Sequence, residues 1–207
     1  MKPNIGVLGF QGDIEEHVSA TRVALRELDL KGKVTIVKNV EELKLIDGLI
    51  IPGGESTVMG RLANFNRTIE IISARARAGL PIFGTCSGLI MLARKVYDKV
   101  VGETDQPVLG ILDATVERNA FGRQRESFES DLDIPILGKE KFRGIFIRAP
   151  VVKEVGPEVE VLSKLNESIV AVQQGTVLGT AFHPELTTDT RVHRYFIEMV
   201  MRSLPSN

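Results

Sequence analysis

"LPIFGTCSGLIML", Leu80 to Leu92, decides how this chain is built. It opens as a short apolar run suited to a strand buried on both faces and closes as an apolar helical segment. Only Gly84, Thr85, Cys86, Ser87 and Gly88 stand between the two. Working outward, the same alternation continues. Residues 4–10, "NIGVLGF", read as a first strand. A helix follows, with Asp13 placed to cap it, with Ile14, Val18, Thr21, Leu25 and Leu28 at steps of three and four, and with Gly32 past its end. Residues 33–37 and 47–52 read as the second and third strands. A helix over 66–78 stops at Gly79, residues 80–85 form the fourth strand, and a helix over 87–97 follows. Strands joined by helices of about ten or more residues imply a parallel sheet covered on both faces.

The second half has another texture. "GILDATVERN", "SFESDLDIPI", "FRGIFIRAP", "VEVLSKL", "SIVAVQQG" and "TVLGTAFHPEL" follow one another with short turns, as expected of antiparallel or mixed strands added to the core. A last amphipathic helix starts near Asp189 and puts Val192, Phe196, Met199 and Val200 on one face. The expectation is an α/β fold of three layers, with a mostly parallel central sheet, helices on both faces and extra antiparallel strands. A single domain over residues 1–207 accounts for the chain.

Composition narrows the function classes. Twenty-six Lys and Arg against 27 Asp and Glu leave a net charge of −1, which provides no electrostatic attraction for nucleic acid or an anionic membrane. One cysteine forms neither an internal disulfide nor a Cys-rich zinc site and fits a reducing, cytoplasmic setting. The N-terminal apolar run turns polar within ten residues, too soon for a signal peptide, and no stretch approaches the ~20 apolar residues of a membrane span. There is no metal-ligand cluster and no cofactor motif.

Free cysteine is by itself an ordinary core residue. The neighbours of Cys86 argue otherwise. Gly84-Thr85-Cys86-Ser87-Gly88 has the form of a nucleophile elbow at a strand-to-helix junction, where crowding leaves little but glycine two positions away on either side. A following helix favours the thiolate, which matters because a thiol with a pKa of ~8.5 is only slightly ionised near neutrality. Of three histidines, His17 and His193 lie among charged residues in the first and last helices and read as solvent-exposed. His183 ends an apolar strand in "FHPEL", where Pro184 marks the strand's end. Glu185, two residues on, points the same way in extended chain and can orient the imidazole. "IIPGGEST" places two glycines after a buried strand, at the same sheet edge as the elbow. Its backbone N–H groups and that of Ser87 suit an oxyanion.

These segments, in this order, resemble the class I, triad-type glutamine amidotransferases of flavodoxin-like fold. "GVLGFQGDIEEH", "PGGEST", "GTCSGLIMLA", "ERNAFGRQRESFE", "GIFIRAP" and "FHPELT" narrow the resemblance to the glutaminase subunits of pyridoxal 5′-phosphate synthase, over nearly the whole chain. The resemblance implies Cys86 as nucleophile, His183 as acid and base, and Glu185 as its orienter. It implies that Gly54, Glu55 and Ser56 hold L-glutamine, with Gly54 and Ser87 forming the oxyanion hole, and that Arg118, Ile147 and Arg148 complete the pocket. An arginine there makes sense because a free amino acid brings a carboxylate. Ser87 stands where the family often has alanine. The resemblance also implies no cofactor and a partner synthase subunit in a large hetero-oligomer of twelve plus twelve subunits. That partner receives the ammonia and makes pyridoxal 5′-phosphate. The alternatives are an amidotransferase subunit serving a different synthase, a cysteine-elbow peptidase or hydrolase, and a non-catalytic binding subunit of the same fold.

Overall fold

The computed structural model describes residues 2–56, 68–98, 101–120 and 127–205. The apolar runs of the first half become β1 (Asn4–Leu8), β2 (Lys33–Val37), β3 (Gly48–Ile51) and β4 (Ile82–Thr85), connected through α1 (Ile14–Glu27), α2 (Val40–Lys44) and α3 (Thr68–Arg77). Residues 66–67, expected to begin α3, lie outside the described residues. After the elbow come α4 (Ser87–Leu92), β5 (Ala93–Asp98), β6 (Gly102–Glu103), β7 (Leu112–Arg118), β8 (Ser127–Leu132), β9 (Phe142–Ile147), β10 (Val151–Val155), β11 (Glu160–Leu165), β12 (Ser168–Gln174), β13 (Val177–Thr180) and α5 (Arg191–Ser203).

The main sheet runs in the order β2-β1-β3-β4-β13-β12-β10-β7-β5-β6, with β11 beside β12, and β8 and β9 make a separate antiparallel ribbon. From β2 to β13 every neighbour is parallel; beyond β13 only β5 and β7 are. The order 2-1-3-4 followed by a fifth parallel strand is that of flavodoxin-like sheets, which place their sites at the carboxyl ends of the strands. β13 comes late in the chain yet completes this core, pairing Thr180 with Thr85 at the same end as the elbow. The strand that carries His183 thus lies next to the strand that carries Cys86.

Helices cover both faces. α1 packs on α5, and α2 on α3. At β1 and β3 the layers come so close that a methyl group on Gly6 would strike Ile46, before β3, at 2.7 Å, while one on Gly48 would strike Val200 of α5. The residues expected to face the core from the last helix do so: Val192, Phe196, Met199 and Val200 are all buried. Each such side chain contributes roughly 1.5–3 kcal/mol by leaving water. Among the described residues, no helix is long and apolar enough to cross a membrane.

Three details correct the sequence reading. The helix expected over residues 87–97 stops at Leu92, and Ala93 turns extended at φ −60°, ψ 151°. All six residues of α4 are buried, so it has no polar face. Another helical turn would carry Arg94 and Lys95 inward; instead the chain becomes β5, buries Val96 and leaves both charges exposed. β10 shows no strand alternation in the sequence because Val151 and Val152 are buried and the three residues after them, "KEV", are all exposed. Asp13 occupies the N-cap of α1 but makes no capping hydrogen bond; its carboxylate is engaged elsewhere.

Candidate active site

Cys86 sits at φ 49°, ψ −105°, a conformation that an L-residue adopts at a cost of about 1–3 kcal/mol and that the surroundings must enforce. Its amide donates to the Thr180 carbonyl at 2.8 Å, and its own carbonyl accepts from Ile90 at 3.2 Å. The flanking glycines are needed for space. A methyl group on Gly84 would lie 2.5 Å from the Gly88 carbonyl carbon, and one on Gly88 would collide with the Ile51 carbonyl of β3. The elbow is wedged between β3, β13 and its own helix. Cys86 is 7% exposed, and its Sγ lies 3.8 Å from the Ile147 carbonyl oxygen.

His183 follows β13, held by its amide donating to the Ile145 carbonyl of β9 at 2.8 Å. Its Nδ1 is 2.7 Å from Glu185 Oε1 and 3.2 Å from Asp13 Oδ2. Burial opposes its charged form, but hydrogen bonds to Asp13, Cys86 and Glu185 prevail and raise its pKa to about 12. Burial likewise raises Glu185, against the bond to His183. The hydrogen bond from His183 lowers Asp13. The two carboxylates facing His183 Nδ1 hold a proton on that nitrogen and favour the charged imidazolium. Asp13, His183 and Glu185 bring ligand atoms within 4.8 Å of one another. The 2.7 Å between His183 Nδ1 and Glu185 Oε1 is a hydrogen-bond length, well under the about 3.3 Å that separates two ligands of a tetrahedral zinc, and the same Nδ1 faces Asp13 at 3.2 Å.

One cleft collects the rest. Gly54, Glu55 and Ser56 after β3, Cys86 and Ser87 at the elbow, Arg118 and Asn119 at and after the end of β7, and Ile147 and Arg148 at and after the end of β9 line it, with Ile90. Asn119 and Arg148 both have positive φ, 50° and 42°, so three non-glycine residues of positive φ border the cleft, counting Cys86. Such conformations concentrate at sites that grip ligands. The loops interlock: Ala120 N–H donates to the Ala149 carbonyl at 3.2 Å, and the Ser87 hydroxyl donates to the Gly54 carbonyl. Arg118 reaches Gln106 Oε1 at 3.0 Å, and Ser56 Oγ lies 3.4 Å from the same oxygen.

Residues 7–202 match the model of the SNO glutamine amidotransferase family. The chain belongs to that family. A curated relative from Nitrosopumilus maritimus, named pyridoxal 5′-phosphate synthase subunit PdxT, is 45% identical over 200 residues, 97% of this chain and 98% of its own. Another of that name, from Geobacillus thermodenitrificans, is 52% identical over 196 residues, covering 95% and 94%. A crystal structure described as a glutamine amidotransferase, 47% identical, superposes with a TM-score of 0.83 over 95% of this chain and 98% of that one. A Thermotoga maritima glutamine amidotransferase, 13% identical, shares the fold with a TM-score of 0.59, covering 98% and 85%.

All residues that the family resemblance pointed to around glutamine line this one cleft, apart from the stretch 121–126 of "RNAFGRQRE", which lies outside the described residues. His183 and Glu185 stand behind Cys86. The sequence reading of the other two histidines was wrong: His17 and His193 are both 0% exposed and touch each other beneath the site. Their helices bring charged neighbours along one face, but these two positions fall on the face where α1 and α5 meet. Three further residues escaped notice. Asp13 looked like a helix cap. Asn119 carried only the general tolerance of asparagine for positive φ. Gln106 sits in a polar loop and gave no sequence signal at all.

Proposed function

We propose that this chain is the glutaminase subunit of a pyridoxal 5′-phosphate synthase. It hydrolyses L-glutamine to L-glutamate and passes the ammonia to a synthase subunit, in a hetero-oligomer of twelve plus twelve chains in the cytoplasm. The observation that carries this reading is the strained Cys86, hydrogen-bonded to His183 at the end of a cleft that two arginines border.

The chemistry follows from the groups in place. Arg118 and Arg148 bind the α-carboxylate of glutamine, and the loop of Gly54, Glu55 and Ser56 holds the rest. The Cys86 thiolate attacks the side-chain amide carbon. The oxygen takes up the charge facing the Ser87 and Gly54 N–H groups. As the tetrahedral species collapses, the C–N bond breaks and the His183 imidazolium gives its proton to the departing nitrogen, releasing ammonia and leaving a glutamyl thioester on Cys86. Neutral His183 then takes a proton from water. The resulting hydroxide attacks the thioester, glutamate departs and the thiolate and imidazolium are restored. Glu185 keeps the imidazole oriented and stabilises its charged form.

The test is a glutaminase assay with and without the candidate synthase, reading ammonia and pyridoxal 5′-phosphate together. The reading expects glutamine-dependent production of both in the complex. Ammonia without pyridoxal phosphate would assign the chain to another synthase, and no glutamine turnover would leave the peptidase, hydrolase or binding-subunit alternatives.

A further inference from the structure

Beneath the triad lies a buried polar chain that the mechanism above does not use. Glu185 gives Oε1 to His183, and its other oxygen, Oε2, is buried without a well-directed hydrogen bond. The polar group facing Oε2 is His17 Nε2, 3.3 Å away. The same nitrogen is 3.0 Å from Thr85 Oγ1, on the residue before Cys86. His17 Nδ1 is 3.1 Å from His193 Nε2, and His193 Nδ1 is buried without a partner. Three distant elements, α1, α5 and the end of β4, thus converge on the oxygen of Glu185 that His183 leaves unused.

Two proton arrangements are consistent with these distances. In the first, His193 Nε2–H donates to His17 Nδ1, and His17 Nε2–H points at Thr85 Oγ1 and Glu185 Oε2. It leaves a bare lone pair on His193 Nδ1 and frees the Thr85 hydroxyl proton from His17. In the second, every proton is reversed. His193 Nδ1–H is then a buried donor with no acceptor, and the His17 Nε2 lone pair faces a carboxylate oxygen. The second arrangement lets the Thr85 hydroxyl donate to His17. It also sets a lone pair against a buried carboxylate oxygen and strands the His193 N–H, which costs more than an idle neutral acceptor and a rotatable hydroxyl.

We infer that His17 is a positioning residue for the glutaminase reaction: locked by His193 as the Nε2–H tautomer, it donates to Glu185 Oε2 and fixes the carboxylate that orients His183. Burial keeps both rings neutral, lowering His17 well below its usual range and His193 to about 4. The inference rests on the proposed function, since positioning has meaning only for a catalytic His183.

The experiment compares wild type, His17→Met and His17→Gln in complex with the synthase, measuring kcat and KM for L-glutamine and the rate driven by ammonium salt. His17→Met should lose about 10–100-fold in kcat, the worth of a hydrogen bond to a buried charge, with KM within about two-fold and the ammonium-driven rate unchanged. His17→Gln, whose amide N–H can reach the same oxygen, should recover most of that loss. In wild type, 15N spectra of histidine-labelled protein should show His17 protonated on Nε2 and bare on Nδ1 from about pH 6 to 8. The inference is overturned by full activity in His17→Met, by equal loss in both variants, or by a proton on His17 Nδ1. Should His17→Met not fold, His17→Gln and the tautomer decide. A wild-type complex that turns over no glutamine sinks the proposed function instead, and the tautomer still tests the geometry.

Discussion

The cleft is built by a parallel half of the fold and an antiparallel half, and the two treat their side chains differently. The parallel half supplies Cys86 and His183 from adjacent strand ends, both buried and cross-braced by backbone hydrogen bonds to Thr180 and Ile145. The antiparallel half, β7 with the separate β8–β9 ribbon, supplies Arg118 and Ile147 from its strand ends and Asn119 and Arg148 from the loops that follow, at a rim where Ile147 is 37% exposed. The difference separates two demands. Bond-making atoms need positions fixed to a fraction of an ångström, which buried strand ends provide. Substrate grip needs charge at an open mouth, which exposed strand ends and the loops after them provide. On this view, changes in the parallel half affect kcat and stability, whereas changes in the antiparallel half affect KM.

The division can be broken most visibly at the nucleophile. Cys86→Ala should lower glutamine-dependent product formation by about 10⁴-fold or more while leaving synthesis from ammonium salts intact; loss of both rates would mean that the cysteine serves the assembly and not the chemistry. Next in size, Gly88→Ala forces a methyl group against the Ile51 carbonyl and should cost about 3 kcal/mol in urea unfolding, the upper range for overpacking. A variant as stable as wild type would contradict the wedged elbow.

Arg118→Ala and Arg148→Ala should each raise KM for glutamine by about 10–100-fold with kcat within about three-fold. A pure kcat defect would erase the contrast between the halves. The buried histidines add a pH signature. His17 and His193 bind protons less readily folded than unfolded, so stability declines as pH falls from about 6.5, the unfolded value, towards the lower folded ones. Because burial raises Glu185, that group opposes the trend in the same window, so the cleanest reading is a difference. His193→Gln should flatten the slope by up to one proton, about 1.4 kcal/mol per pH unit. An unchanged slope would contradict a neutral, buried His193. Smallest, Asp13→Asn should lower kcat/KM only about 2–5-fold, because its carboxylate is partly open to water and Glu185 remains.

Much of the parallel half could be read from residues alone. Gly84, Cys86 and Gly88 declare the elbow because their spacing answers a steric problem that the structure then displays at Gly88 and Ile51. His183 and Glu185 were found for an incomplete reason. Strand periodicity pointed to them, but β13 ends at Thr180 and residues Pro184–Leu186 form a 3-10 turn, and it is this turn that brings Glu185 Oε1 to His183 Nδ1 at 2.7 Å. The rim was different. Arg118 and Arg148 look like any surface arginines, and only the family resemblance singled them out. The buried histidines were misread because helical charge patterns show which faces are polar, not which residues meet a second helix 176 positions away. The short α4 was misread for a related reason. The neighbouring strand β7, formed later in the chain, offers β5 an edge that local propensity cannot announce.

The most direct test is covalent. With the synthase present, the chain is incubated with L-glutamine or with a diazo-ketone analogue of glutamine, quenched in acid, digested and analysed by mass spectrometry. A glutamyl or analogue adduct on the peptide holding Cys86, absent from Cys86→Ala and diminished in His183→Asn, is the predicted result. An adduct on any other residue, or turnover of glutamine with Cys86 unmodified under conditions that trap the thioester, would contradict the account.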